Sequence, residues 1–443
     1  LRGRQGRRMS PARRVVVGVD LGITSIKVQV LDVDGASLAI AATTTPWRDG
    51  SEGRFAEPDE LRAAILATVD DALAEAGRVE VVGVGTTGFA ESGVLLDVDG
   101  VPVAPILPWY DEHGAEVLEE IRADFGERRF AGITGLILNL KPSILKYRWL
   151  AERASASPVR WLSAPEWVAF ELTGVAASEG SLASRTGMFD VLANRGSKEL
   201  LAFVGAPAGL IPPVAQPGTS IGRVREEFGA LAGAAVTIAG IDHLVAAVGI
   251  GATRNDDLVD SCGTGEALIR RLPGDALSRD DVADAVAQEI TVGRDVLAGR
   301  LQLMASLRSG LGMWRFLKLM RIAPEELEAL DEAALALETS AGSPVVDALW
   351  TERASLDGIP YEPDHAAVWR AVIESAQRRA AVLKGRLDEV AGPAGRIVAT
   401  GGGLSSRAVR ELKAAALGEL VIADVDEAAS RGAALLALEA AAP

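Results

Sequence analysis

The chain has 443 residues, 49% of them hydrophobic, with a mean hydropathy of +0.20. That is enough for two or three domains with sizeable cores, and too apolar for a disordered chain. The formal charge of −16, from 61 acidic and 45 basic side chains, argues against nucleic acid as the main partner. It leaves an anionic nucleotide open, because backbone dipoles and a metal ion hold phosphates locally.

The single cysteine, Cys262, excludes an intramolecular disulfide and a cysteine-cluster metal site, and it fits a reducing, cytoplasmic compartment. The longest apolar runs, such as 244–252, are too short to span a bilayer, so no membrane partner is expected. Residues 1–13 are rich in arginine and are expected to be disordered. They lead into no signal-peptide core, because Asp20 interrupts the first hydrophobic run.

Residues 14–20 read as a buried strand ending in Asp20. A turn at 21–25, a second strand at 26–32, an Asp34-Gly35 turn and a third strand at 37–45 follow. The first turn carries Asp-x-Gly-x-Thr-Ser-x-Lys. Gly22 lets the backbone approach a phosphate, and Thr24 and Ser25 supply hydroxyl and amide donors. Asp20 stands where a carboxylate would hold a hydrated Mg2+ ion. An ordinary hairpin is the alternative, and the turn is no Walker loop, since it leads into a strand rather than a helix.

The spacing of Leu61, Ile65, Leu66, Val69 and Leu73 predicts a helix over 55–77, started near Pro58 and stopped by Gly77. A strand at 79–85 runs into Thr86-Thr-Gly-Phe-Ala-Glu91. A hairpin of 92–97 and 101–109 is expected next, ending in Trp109-Tyr110-Asp111. An aromatic wall beside a carboxylate suits a polyol, whose C–H face packs on the ring while its hydroxyls donate to the acid. Core filling for Trp109 and a solvated loop acid at Glu91 remain open. Helices are expected at 115–125, 145–153 and 161–172. Pro212, Pro213, Pro217 and Gly218 mark a junction, and the domain boundary is placed after residue 235.

A buried strand from Val236 ends at Gly240, with Asp242 and His243 next, where an open α/β sheet places its ligand crevice. A small-residue helix at 244–251 follows. Strands at 258–261 and 266–270 then flank the turn Cys262-Gly263-Thr264-Gly265, whose backbone N–H groups can converge on an anion. A carboxylate followed by a phosphate-sized nest suits phosphoryl transfer to a hydroxyl. His243 either touches the sugar or is structural.

Residues 280–289 read as a surface segment. Gly310 and Gly312 either approach the nucleotide or open the apolar helix at 313–320. An acidic helix is expected at 324–338, and an amphipathic one at 366–387 with Val368, Ala371, Val372, Ser375 and Val382 inward. A strand from Ile397 runs into Gly401-Gly402-Gly403, whose bare backbone lets a flat adenine lie against the chain. The small-residue stretch from Asp426 to Gly432 opens a last helix, expected to pack behind the nucleotide.

Four segments, in order, resemble the FGGY carbohydrate kinases of the actin-like ATPase superfamily. The hairpin 17–27 is similar to their first phosphate motif, Ala239 to Gly249 to their catalytic-aspartate segment, Asp260 to Gly265 to their second phosphate motif, and Ala399 to Ser406 to their adenosine motif. The resemblance implies an α/β fold of two actin-like ATPase (ribonuclease H-like) domains, 14–235 and 236–443, flanking a deep cleft. It implies ATP and Mg2+ as cofactors, Asp20 at the metal, Asp242 as general base, and a small sugar or polyol, a ketose or an alditol, as substrate.

The same resemblance puts Glu91, Trp109 and Asp111 at the substrate, together with Asp242 and His243. It puts Gly22, Thr24, Ser25, Lys27, Gly263, Thr264, Gly265, Gly310, Gly402 and Gly403 at the nucleotide. One departure is His113, where the family often carries arginine. An actin-like ATPase with no sugar substrate and a catalytically silent sugar sensor stay open as alternatives, as does a homodimer.

Overall fold

A computed structural model of the protein describes residues 12–263, 265–338, 343–349, 353–359 and 364–442. The arginine-rich start and Thr264 lie outside the described residues.

Strands Arg13–Leu21, Ser25–Asp32 and Ser37–Thr44 form an antiparallel meander. Val79–Gly88 and then Ala235–Ile241 add to it in parallel on the other side of the first strand. Val15, Val16, Val17 and Val19 are all buried, as a central strand covered on both faces requires. The second sheet repeats this order. Strands Asp257–Cys262, Glu266–Pro273 and Arg300–Leu307 make the meander, and Arg396–Thr400 and Leu420–Ile422 add in parallel.

The junction expected after residue 235 therefore moves. Ala235–Ile241 is hydrogen-bonded into the first sheet, and the second sheet begins at Asp257. The Pro-Gly cluster at 212–218 marks turns within the first half, because such residues report local backbone geometry and not sheet membership.

The last helix, Ala428–Ala440, also differs from expectation. It packs on the first sheet, so closely that a Cβ at Gly18 would lie 1.9 Å from the Ser430 carbonyl oxygen and one at Gly85 2.1 Å from that of Ala433. It also crosses the helix Asp242–Gly249 through glycine contacts, Gly249 against Ala428 and Gly432 against Val245. One of these two helices leads the chain out of the first sheet, and the other brings it back.

Four local expectations change as well. Residues 101–109 form no strand, and Gly93–Leu96 pairs with Arg160–Ser163. The helix expected from Trp161 starts at Ala164 instead, capped by Ser163 with Glu166. Residues 280–289 are mostly a helix, Arg279–Ala287, that buries Val282, Ala283 and Ala285. In the long helix His365–Ala391, Val368, Ala371, Val372 and Ser375 are buried, but Val382 is half exposed.

Candidate active site

The parallel strands of the first sheet bring its chemistry to one edge. Asp20 pairs with Thr87, Thr87 pairs with Gly240, and Thr87 Oγ1 donates to the Gly240 carbonyl at 2.7 Å. Asp242 stands two residues beyond Gly240, so both carboxylates sit at the carboxyl ends of parallel strands that flank Val79–Gly88. Gly240 is required here. Its φ is +116°, and a Cβ would lie 2.4 Å from Val296 Cγ1.

Asp20 is half-buried, and its Oδ1 is shut away from solvent with no hydrogen-bond partner. Burial, reinforced by the negative charge of Asp242, pushes its pKa up to about 8, against the pull of Lys27. Lys27 itself is engaged by Glu427 at 2.6 Å. Asp242 is partly open to solvent, and its Oδ1 accepts from the His243 backbone N–H at 2.6 Å, with His243 Nδ1 at 3.1 Å. The turn after Asp20 is tight: Gly22 N–H donates to the Ser25 carbonyl at 3.0 Å, and a Cβ on Gly22 would meet that oxygen at 2.6 Å. Thr24 is exposed and Ser25 half-buried, so both hydroxyls face accessible space.

An acid with an orphaned oxygen beside a second acid suits a divalent cation. Mg2+ needs only one or two carboxylates when phosphates and waters complete its shell. No group of three or more potential metal ligands occurs among the described residues.

A second cluster lies beyond Gly88. Glu91 is buried with φ +61° and is ion-paired to Arg185, at 2.6 Å to Nη2 and 2.8 Å to Nε. Asp111 accepts from the His113 backbone N–H at 2.9 Å, with His113 Nδ1 at 2.6 Å, and the His113 ring stacks on Trp149 at 4.0 Å. The residue that departs from the family habit thus orients Asp111. Trp109 is half-buried, and the ammonium of Lys141 lies 5.1 Å from its ring centroid. Lys146 donates to the carbonyls of Trp109 (3.1 Å) and Lys141 (2.9 Å), tying the two loops together. Burial lowers the Lys146 pKa to about 8, although Glu91 and Asp111 oppose the shift.

In the second half, Gly263, Gly310, Leu311, Trp314, Gly402 and Gly403 line one cavity of about 620 Å³. The structure therefore brings together four glycines expected at the nucleotide from three separate segments. Gly401 explains the glycine run: its φ is +110°, and a Cβ would lie 2.5 Å from the Cys262 carbonyl oxygen. Beneath the Gly263–Gly265 turn, the buried Lys413 Nζ bridges Asp260 (2.8 Å) and Glu266 (2.6 Å), while Ser309 donates to Glu266.

Sequence reasoning missed Lys141, Lys146, Arg185, Lys413 and Glu427. Lys146 did leave a signal. It shares the buried face of helix Ser143–Arg153 with Ser143, Tyr147 and Leu150, a spacing at which a lysine calls for a reason.

Two halves of one repeated topology, with paired carboxylates at one edge and a glycine-lined cavity on the other half, define the actin-like class of two-domain fold. Solved structures agree. The xylulose kinase from Rhodospirillum rubrum superposes with a TM-score of 0.84 over 97% of this chain and 91% of that one, at 22% identity. The Plasmodium falciparum glycerol kinase with ADP gives 0.85 over 96% and 89%, at 17% identity.

The chain belongs to the FGGY family of carbohydrate kinases: the family's N-terminal domain model matches residues 15–249 and its C-terminal domain model residues 261–441. A glycerol kinase of Polaromonas naphthalenivorans is 28% identical over 95% of this chain and 90% of its own length. One from Rhodospirillum rubrum is 30% identical over 56% of this chain, and the match spans about half, 53%, of that protein. No described helix is long and apolar enough to cross a membrane.

Proposed function

We propose that the protein transfers the γ-phosphate of ATP to a hydroxyl of a small polyhydroxy substrate, with Asp242 as general base. The observation that carries this reading is the pairing of a solvent-accessible Asp242 with Asp20, whose Oδ1 is shut from solvent and unpartnered, at one sheet edge. An accessible carboxylate takes a proton from an attacking hydroxyl, whereas one with an orphaned oxygen suits a cation.

The adenosine half of ATP fits the glycine-lined cavity, whose volume is that of an ordinary small-ligand pocket. Thr24 and Ser25 on one half, and Thr264 and Gly265 on the other, supply the phosphate donors, while Gly22 and Gly263, whose N–H groups are taken by the Ser25 and Gly265 carbonyls, shape the two turns. Lys27 is held by Glu427 and serves more by its charge beside Asp20 than by free reach. Asp20 is the residue that would hold Mg2+, which neutralises phosphate charge when bound. Because phosphoryl transfer passes through a loose transition state, the chain's main contribution is position and electrostatics. Asp242 holds the nucleophilic hydroxyl and accepts its proton. His243, against the same carboxylate, fixes its orientation, and Trp109, Asp111 and Glu91 line the substrate side.

An ADP-release screen with Mg-ATP over tetritols, pentitols, ketoses, sugar acids and glycerol tests the reading. Release that depends on one substrate class supports it. Release at the same rate without any of them favours the ATPase alternative, and nucleotide binding without turnover favours the silent sensor. A homodimer is the assembly we propose for the enzyme, to be read from its mass in solution.

A further inference from the structure

The substrate pocket carries more positive charge than its own acids satisfy. Arg185 commits both Nε and Nη2 to a single oxygen of Glu91, and its Nη1 is buried with no partner. Lys141 makes no ion pair among the described residues, and its ammonium stands over the Trp109 ring. Burial pushes the Lys141 pKa down; Glu91 pulls it up, and the nearby charges of Arg185 and Arg308 push it further down. Asp111, engaged by His113, acts on Lys146 but not on Lys141. Two acids, Glu91 and Asp111, are thus set among Lys141, Arg185 and Lys146, and only Glu91 acts on Lys141.

A guanidinium nitrogen shut away from water without an acceptor costs free energy, and so do like charges held together in a desolvated place. A neutral sugar brings only hydroxyl oxygens to such a site. A carboxylate brings a full charge and two acceptors, and charge-assisted bonds of that kind are roughly twice as strong as neutral ones.

We propose that the substrate is a sugar acid, a polyhydroxy carboxylate of the aldonate class, whose carboxylate is received by Arg185 Nη1 and Lys141 while its remote hydroxyl reaches Asp242. This rests on the kinase reading above and narrows its substrate. Arg308, which closes the strand Arg300–Leu307 of the second sheet and acts on Lys141, adds a cation from the other half of the molecule.

The test compares acids with the alcohols of the same carbon chain, by calorimetry on the full chain with MgADP present: D-gluconate with D-glucitol, and D-erythronate with erythritol. At least one acid is expected to bind about tenfold or more tightly than its alditol. Lys141→Met should abolish that preference, with acid binding falling by more than alditol binding, and Lys141→Arg should restore it. An alditol binding as tightly as its acid in both pairs overturns the proposal, as does a preference that survives Lys141→Met in a variant whose melting temperature matches wild type. A sugar monophosphate outcompeting every carboxylate overturns it too. The two readings fail separately. Acid-selective binding with no ADP release from ATP defeats the kinase reading alone, and ADP release driven best by a neutral ketose or alditol defeats the sugar-acid inference alone.

Discussion

Two carboxylates at the ends of strands one apart in the sheet differ because of where their oxygens lie. Asp20 is half-buried with its Oδ1 shut from solvent and orphaned, and the Asp242 side chain reaches solvent. If Asp242 is the base, Asp242→Asn keeps size and hydrogen bonding but removes the proton acceptor. Its kcat is expected to fall about 10²–10⁴-fold, the usual cost of losing a general base. ATP affinity by calorimetry should be kept, since the cavity proposed for adenosine is lined by other residues. Turnover within about threefold of wild type would reject the role.

A second carboxylate makes a stability prediction. Glu166 accepts from the backbone N–H groups of Ser163 and Glu179, each at 2.7 Å, yet burial outweighs those bonds and raises its pKa from 4.5 to about 8. A raised folded-state pKa gives stability that is fully present below about 4.5 and is lost as pH climbs through about 8. The melting temperature of wild type relative to Glu166→Gln should therefore be more favourable at pH 5 than at pH 8. A gap that is flat or widens with pH contradicts it.

At this scale, legibility followed sequence distance. Asp20, Asp242 and the glycine turns declare themselves through their immediate neighbours. The pairing of Arg185 with Glu91, or of Lys27 with Glu427 some 400 positions away, leaves no local trace.

Among the elements, the ones read correctly were those whose period and caps agreed. The helix Pro58–Ala76 has Pro58 at its start and Gly77 at its stop, and of its predicted stripe Leu61, Ile65, Val69 and Leu73 are buried while Leu66 is half-buried. The strand expected at 101–109 failed because its apolar residues alternate with three prolines, Pro102, Pro105 and Pro108, which cannot donate to a ladder. The segment is held instead by single contacts such as Ala56 N–H to the Ile106 carbonyl at 2.9 Å.

The last helix was misplaced for a different reason. Its small residues signalled close packing but not the partner, which turned out to be Gly18, Gly83 and Gly85 of the first sheet. That contact is testable. Gly85→Ala would drive a methyl to 2.1 Å from the Ala433 carbonyl oxygen, so the helix must shift. A loss of about 1–3 kcal/mol is expected from overpacking of this kind, read as a lower urea midpoint. An unchanged midpoint would show that the helix has room to move.

Across the whole molecule, the duplicated order of the two sheets was anticipated from two phosphate hairpins about 240 positions apart, although no sequence repeat is visible. The exchange of the strand Ala235–Ile241 and the helix Ala428–Ala440 into the first half was not anticipated, because membership in a sheet is decided by partners and not by composition. Only two helices, crossing at Gly249 and Gly432, carry the chain between the halves. With the proposed phosphate donors on both sides, nucleotide plus substrate should draw the halves together. Solution scattering should then give a smaller radius of gyration with both ligands than with none, and an unchanged radius would count against closure.

The central claim is that one γ-phosphate is delivered to a substrate hydroxyl. Phosphorus NMR of a reaction containing Mg-ATP and the best substrate from the screen tests it most directly. The account predicts one new phosphomonoester for each ATP consumed, with no accumulation of inorganic phosphate. ATP consumed with inorganic phosphate as the product, and no phosphomonoester formed, would contradict it.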